Sequence, residues 1–185
     1  MSLVELIAQA DERGLAASGL ACLDRCMPLL GGDDEVLRPL WASLVDGGGD
    51  WGERLAQARG SLDGADPEAD AEDEAALLAR RMLAAAPDAR SAAEVRVWAD
   101  ACSVASLQIH RLLDPAEDEA PVDSRREGRT DGMSPLVAAE LRRQIAVLEL
   151  VADHGPAGLR QALDVSTEGR RVLRAVVSRR ARGRV

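Results

Sequence analysis

Lysine, asparagine, phenylalanine and tyrosine are absent from this 185-residue chain. Their codons are the ones richest in A and T, so we attribute the absence to codon bias and not to chemistry. All 23 basic residues are consequently Arg, and three Trp are the only aromatic side chains. With two His and three Cys, the chain offers few groups for acid-base, nucleophilic or metal chemistry.

The three cysteines and the hydropathy pattern bear on where the protein functions. An odd number of Cys does not suggest a disulfide framework, and the first 30 residues lack the basic-then-apolar layout of a signal peptide. The longest apolar-rich stretch, about 15–30, is interrupted by charged residues and by Pro28, whereas a membrane span needs about 20 apolar residues. We therefore expect a cytoplasmic protein that does not associate with membranes.

Glycine and carboxylate motifs give no sign of a cofactor. No phosphate-binding or dinucleotide-binding glycine pattern occurs, and the glycines at 47–49 join two predicted helices without a preceding strand. The acids at 33–35 precede an apolar periodic run, a position that suits helix capping better than metal binding. We therefore predict a protein without cofactor and without enzymatic activity.

The Cys and His residues are the candidates for a metal or catalytic set. Cys22 and Cys26 lie one helical turn apart and could both bind Zn²⁺, with Cys102 or His110 as a third ligand. Cys102 and His110 are eight residues apart on one predicted helix, about 12 Å along its axis, so they cannot both join one site. Because three ligands remain at best, we predict that the cysteines are core residues. His110 and His154 support no Ser-His-Asp triad.

Helix signals recur along the whole chain and predict an all-α fold. Ser2 with Glu5 and Ser91 with Glu94 have capping-box spacing. The apolar periodicity predicts six helices over residues 1–113, of which the first two cover about 3–13 and 15–29. Asp33-Asp34 and Asp50 are predicted to cap the third and fourth, and the sixth carries the clearest apolar seam. The aromatic side chains are predicted to anchor helices against one another: Trp41, Trp51 and Trp98.

Charge is distributed very unevenly along the chain, and this distribution predicts two modules. Residues 1–124 hold 25 Asp or Glu against 10 Arg, whereas residues 125–185 hold 7 acids against 13 Arg. We predict an acidic helical bundle over 1–113, a mobile linker over 114–133 and a basic three-helix module over 134–185. The acid-rich stretch 63–74 is predicted to be unable to order itself, except where Asp66-Pro67 starts the fifth helix.

The C-terminal run from Leu141 to Val185 resembles the start of bacterial winged helix-turn-helix regulators. The resemblance lies in the segment HGP at 154–156 and in apolar residues at the offsets such motifs use: Ile145, Leu148, Val151, Ala162, Val165 and Val172. It departs from them at 164–166, where the turn lacks its usual glycine, and at its end, where the strands of a wing are missing. The composition of the whole chain resembles that of proteins from GC-rich bacteria such as actinomycetes.

The resemblance implies a recognition helix over about 167–181 that contacts nucleic acid through Arg170, Arg171, Arg174, Arg179 and Arg180. The overall acidity of the chain opposes this, because phosphates repel a net charge of −9. Our first prediction is therefore an adaptor or regulatory protein that binds another protein, and the alternative is a DNA-binding transcriptional regulator. A further hypothesis is that acids of 63–74 or of the linker mask the Arg-rich tail.

Overall fold

A computed structural model describes residues 1–47, 49–63 and 73–183. Within these ranges the chain is all-α, as predicted, and holds no strand. Its elements are α1 (Leu3–Gln9), α2 (Glu12–Arg25), a 3-10 turn (Met27–Leu29), α3 (Arg38–Val45), α4 (Trp51–Leu62), α5 (Glu74–Ala85), α6 (Ala92–Leu113), α7 (Val122–Arg126), α8 (Pro135–His154) and α9 (Pro156–Arg182). No helix of the described ranges combines the length and the apolar character that crossing a bilayer requires.

Local capping determines where the first helices begin and end. The Ser2–Glu5 capping box is present at α1, and Ser91 accepts the backbone N–H of Glu94 at α6. The prediction that the first helix continues to residue 13 is wrong, because Asp11 accepts the N–H of Gly14 at 2.8 Å and starts α2 there. The second helix ends at Arg25 and not near residue 29. Proline at position 28 is accommodated in the 3-10 turn that follows.

Two predicted caps are wrong. Neither Asp33 nor Asp34 caps α3, which begins at Arg38; Asp33 instead accepts the N–H of Glu35 at 2.8 Å within a turn. Asp50 stands at the start of α4 but its side chain makes no capping hydrogen bond there. The predicted start of the fifth helix at Asp66-Pro67 and most of the acid-rich stretch lie outside the described residues.

Helix α2 is the centre of the core. Every residue from Gly14 to Arg25 is buried, and α2 packs against α6, α8 and α9. Such burial on all sides is possible because small residues such as Gly19 let the neighbouring helices approach closely: a Cβ at Gly19 would lie 2.6 Å from the ring of Trp98. Since α8 and α9 share this core with α2, burial of apolar area joins the two ends of the sequence.

The three Trp side chains are buried, and each indole N–H has an acceptor. Trp41 donates to Asp24 at 2.8 Å, Trp51 to the carbonyl of Pro87 at 2.8 Å, and Trp98 to the carbonyl of Met82 at 2.9 Å. The rings of Trp51 and Trp98 meet edge to face, with centroids 6.0 Å apart. The prediction that they anchor helices is therefore confirmed by their contacts.

Residues 114–133, predicted as a mobile linker, contain α7 and two buried arginines. Arg125 donates to Asp118 at 2.6 and 3.1 Å and to the carbonyls of Arg129 and Asp131. A guanidinium offers five N–H donors, so one buried Arg can hold several turns of an otherwise polar segment together. This local order was not expected from composition. The division of the chain into two modules at this segment stays a prediction.

The C-terminal region holds two long helices and not the three that were predicted, because the expected recognition helix over about 167–181 does not begin separately. The chain reverses at Gly155, whose φ of +54° favours glycine, and then continues as the uninterrupted helix α9. The proposed turn at 164–166 is helical, and Ser166 donates to the carbonyl of Ala162 at 2.9 Å. Without a glycine or proline there, nothing interrupts the backbone hydrogen bonds of the helix.

Candidate functional site

The most concentrated group of polar side chains is centred on an ion pair inside the core. Arg25 of α2 donates from Nε to Glu140 Oε2 at 2.8 Å and from Nη2 to Oε1 at 2.7 Å, and neither side chain is exposed at all. These two parallel hydrogen bonds match the planar guanidinium to the planar carboxylate. The pair joins α2 to α8 across 115 residues of sequence.

Neutral side chains complete the hydrogen bonding of the buried pair. Ser106 of α6 donates to Glu140 at 2.7 Å, and Gln144 donates to the same carboxylate at 2.9 Å. Ser103 then donates to Gln144 at 2.7 Å and accepts from Arg126 at 3.1 Å. Such supporting bonds are what a buried ion pair needs, because both ions lose their hydration on folding.

His110 lies beside the same carboxylate. Its Nδ1 is 2.7 Å from the carbonyl of Ser106, and its Nε2 is 3.6 Å from Glu140 Oε2. Burial lowers the pKa of His110, although Glu140 opposes this effect, so the neutral ring with Nδ1–H donating to the carbonyl fits the geometry. Burial by itself would raise the pKa of Glu140, but Arg25 and His110 together lower it to about 2. The carboxylate is therefore ionised at neutral pH.

The thiols near this pair are inert. Burial raises the pKa of Cys22 to about 12, and it also raises the pKa of Cys26 and that of Cys102 above the ordinary value of a thiol. All three are free and fully buried, as their predicted core role requires. No group of three or more His, Cys, Asp or Glu in the described part of the chain could hold a metal ion.

The buried cluster cannot perform chemistry on a bound molecule in this conformation. Arg25, Ser106 and Glu140 have no exposed surface, and His110 is only 1 % exposed. The Ser106 hydroxyl donates to the Glu140 carboxylate and the Ser106 carbonyl meets His110, so this hydroxyl has a base beside it but is closed to any bound molecule. What the arrangement does is hold α2, α6 and α8 in register.

A second charged group joins α9 to the N-terminal third of the chain. Arg170 is 7 % exposed and bonds to Asp24, which also accepts from Trp41. Arg174, one turn later, forms two hydrogen bonds with Asp34. Burial raises the pKa of Asp24 while Arg170 and Trp41 oppose it, and the bonds from Arg174 lower the pKa of Asp34.

These pairs determine which predicted nucleic-acid contacts remain accessible. Arg170 is buried, and Arg174 is partly exposed but engaged with Asp34. Arg171, Arg179 and Arg180 are exposed on α9. The acids that meet the tail within the described residues are thus Asp24 and Asp34, whereas the hypothesis named the stretch 63–74 and the linker.

An open apolar groove lies between α5 and α6. Its volume is about 440 Å³, and Arg81 and Gln108 are its only polar lining residues. Trp98 and Cys102 lie at its base, and the rest of the lining is apolar: Leu78, Met82 and Ala85 from α5, and Ala101, Val104 and Ala105 from α6. Val97, one turn before Ala101, is 72 % exposed. Small alanines along both helices leave the space that larger side chains would have filled.

Sequence reasoning missed both the buried cluster and the groove. The signal for the cluster is in α8, where Glu140 and Gln144 follow Val137 at helical spacing and precede Leu148, so polar groups stand on the apolar face. The signal for the groove is the stripe of exposed Val97 and Ala101 beside the core-facing seam of α6.

No protein-family model matches this chain, and no curated protein or solved structure is significantly similar to it.

Proposed function

We propose that this protein is a non-enzymatic adaptor or regulatory protein that binds a partner protein in the groove between α5 and α6. The observation that carries the proposal is the open apolar groove of about 440 Å³, flanked by the exposed side chain of Val97. Contiguous apolar surface left open to water is typical of binding sites. The polar residues that could have supported catalysis, by contrast, are enclosed in the core around Glu140.

The shape of the groove favours a helix as the bound element. Its lining on α6 runs from Trp98 to Gln108, which corresponds to about 15 Å or three helical turns. A groove formed by two packed helices is the usual receptor for the apolar face of an amphipathic helix. The alanines on both sides allow the partner backbone to approach closely.

Site-specific cross-linking tests this proposal. A photoreactive amino acid at Ala85 is expected to capture a partner in cells, whereas the same amino acid at exposed Ala175 of α9 is not expected to capture it. The captured protein is then purified and its affinity measured by calorimetry. Ala101→Asp should weaken binding by at least about tenfold, because burying an unpaired carboxylate costs more than about 1.4 kcal/mol.

Ala175→Asp is the matched control, since it places the same charge in the middle of an exposed helix face. It should leave the affinity unchanged. Equal affinities for the wild-type protein and for Ala101→Asp would show that the groove is not the binding site.

DNA binding remains a second candidate, and one observation favours it. After Glu168, α9 carries no further acid, and its exposed arginines include Arg171, Arg179 and Arg180. If they contact phosphates, replacing all three with Ala should weaken duplex binding and reduce the slope of log K against log salt by about 3. Binding that is absent at low salt, or that is unchanged by the replacement, would contradict this candidate.

A further inference from the structure

We infer that the partner of the α5–α6 groove is an amphipathic helix with large apolar side chains along one face and a carboxylate placed against Arg81. This inference rests on the proposed function and adds the chemistry of the partner to it. Two properties of the groove support it, namely the single charge at its edge and the small size of the residues that line it.

The charge at the groove is a lone, exposed cation. Arg81 is the only charged lining residue, and it has no hydrogen bond or ion pair within the described ranges. Several arginines elsewhere in the chain are engaged, as Arg170 and Arg174 are with Asp24 and Asp34. An acidic residue on a docked helix would supply the missing counter-ion and form charge-assisted hydrogen bonds that a basic residue could not.

The small size of the lining residues determines which side chains the apolar face of the partner helix must carry. Ala85, Ala101 and Ala105 contribute little side-chain volume, so the space of about 440 Å³ must be filled from the partner. Over three turns, a helix presents residues i, i+3 or i+4, and i+7 to one surface. Leu, Met, Phe or Trp at those positions would fill the groove, whereas an alanine-rich face would leave it partly empty.

A second copy of this chain fits the groove poorly. The groove is concave, so two copies facing each other would not interdigitate. In a twofold interface the same residues appear on both sides, and the lining contains Arg81 but no acid. Self-association through this surface would therefore leave the cation without a counter-ion.

Selection from a displayed library tests the inference with a defined probe. The library consists of 16-residue helical peptides with large apolar residues fixed at i, i+3 and i+7 and with random flanking positions. It is selected on the full-length wild-type protein, on Arg81→Glu and on Arg142→Glu, which reverses an exposed charge in the middle of α8. Circular dichroism and urea midpoints establish that the variants are folded.

The expected result is enrichment of Asp and Glu in the flanks of peptides selected on the wild-type protein and on Arg142→Glu. Selection on Arg81→Glu should enrich Lys and Arg instead. Individual peptides should lose at least tenfold in affinity on Ala101→Asp, which shows that they occupy the groove.

Three outcomes overturn the inference, and they differ in what they say about the proposed function. If the selected peptides lose affinity on Ala101→Asp but show no charge preference, the partner does not require a carboxylate, and the groove remains a binding site. Failure to select any peptide that depends on Ala101 contradicts the groove as a helix receptor and with it the proposed function. A dimer in sedimentation analysis that Ala101→Asp dissociates would show that a second copy covers the groove.

Discussion

Removing the buried carboxylate by Glu140→Ala should destabilise the protein strongly. The change leaves Arg25 charged, fully buried and without a counter-ion. It also removes the acceptor for the hydroxyl of Ser106 and for the amide of Gln144. Breaking a buried ion pair by deleting one partner costs about 3–5 kcal/mol, much more than the loss of a surface pair.

Removing both charges together should cost far less. In the double variant Arg25→Met/Glu140→Leu, side chains of similar length fill the space and no ion remains buried in that pair. Replacement of a buried pair by well-packed apolar residues is about neutral in other proteins. We expect the double variant to lie within about 1–2 kcal/mol of wild type, because Ser106 and Gln144 still lose their acceptor.

Urea unfolding followed by far-ultraviolet circular dichroism measures these differences. With a slope of about 2 kcal/mol per molar urea, a loss of about 4 kcal/mol moves the midpoint down by about 2 M. Glu35→Ala is the control, since it breaks the pair with Arg38 in which both side chains are more than 60 % exposed. That change should cost less than about 1 kcal/mol. A loss below about 1 kcal/mol for Glu140→Ala, or equal losses for the single and double variants, would refute the reasoning.

Three further predictions concern pH, packing and reactivity. Arg25 and His110 lower the pKa of Glu140 in the folded protein to about 2, whereas the pKa of Glu in an unfolded chain is about 4.3. The ionised Glu140 therefore stabilises the fold fully above about pH 4.3, and this stabilisation is lost as the pH falls toward 2. In an acid titration, the double variant should lose stability less steeply than the wild-type protein. Gly19→Ala should lower the free energy of unfolding in urea by about 1–3 kcal/mol, because the new Cβ would meet the Trp98 ring. Gly60→Ala, in open space on α4, should raise the free energy of unfolding by up to about 1 kcal/mol. Equal effects of the two changes would contradict the packing argument. A thiol reagent should label none of Cys22, Cys26 and Cys102 until urea unfolds the chain. Labelling of any of them in the folded protein would show that this thiol is accessible.

Some of the features that short-range patterns encode were predicted correctly, although the caps predicted at Asp33-Asp34 and at Asp50 were wrong. Ser2 with Glu5 and Ser91 with Glu94 form their caps because partners three residues apart are already neighbours in a helix. The burial of Trp98 and Cys102 followed from the apolar seam of α6 in the same way. Helix ends were predicted less accurately: the first helix was expected to continue to residue 13, but Asp11 accepts the backbone N–H of Gly14 and starts α2.

Features that depend on distant parts of the chain were not predicted. Arg126 stands in a polar segment that composition assigns to a mobile linker, yet it is buried because Ser103 of α6, 23 residues away in sequence, accepts its hydrogen bond. Arg170 was predicted as a surface contact and is bonded to Asp24, which is 146 residues away in sequence. No local pattern specifies such a pairing.

The sequence by itself determined that the chain is helical, where most of its apolar faces lie and that its basic residues concentrate toward the C-terminus. These properties depend on spacings of three and four residues, which are the same in any helix. Only the tertiary structure decided that α9 is one helix, that Glu140 meets Arg25 inside the core, and that α5 and α6 leave a groove beside Arg81. Those outcomes depend on which helices pack together, because charge pairing and open space are set by neighbours that are distant in sequence.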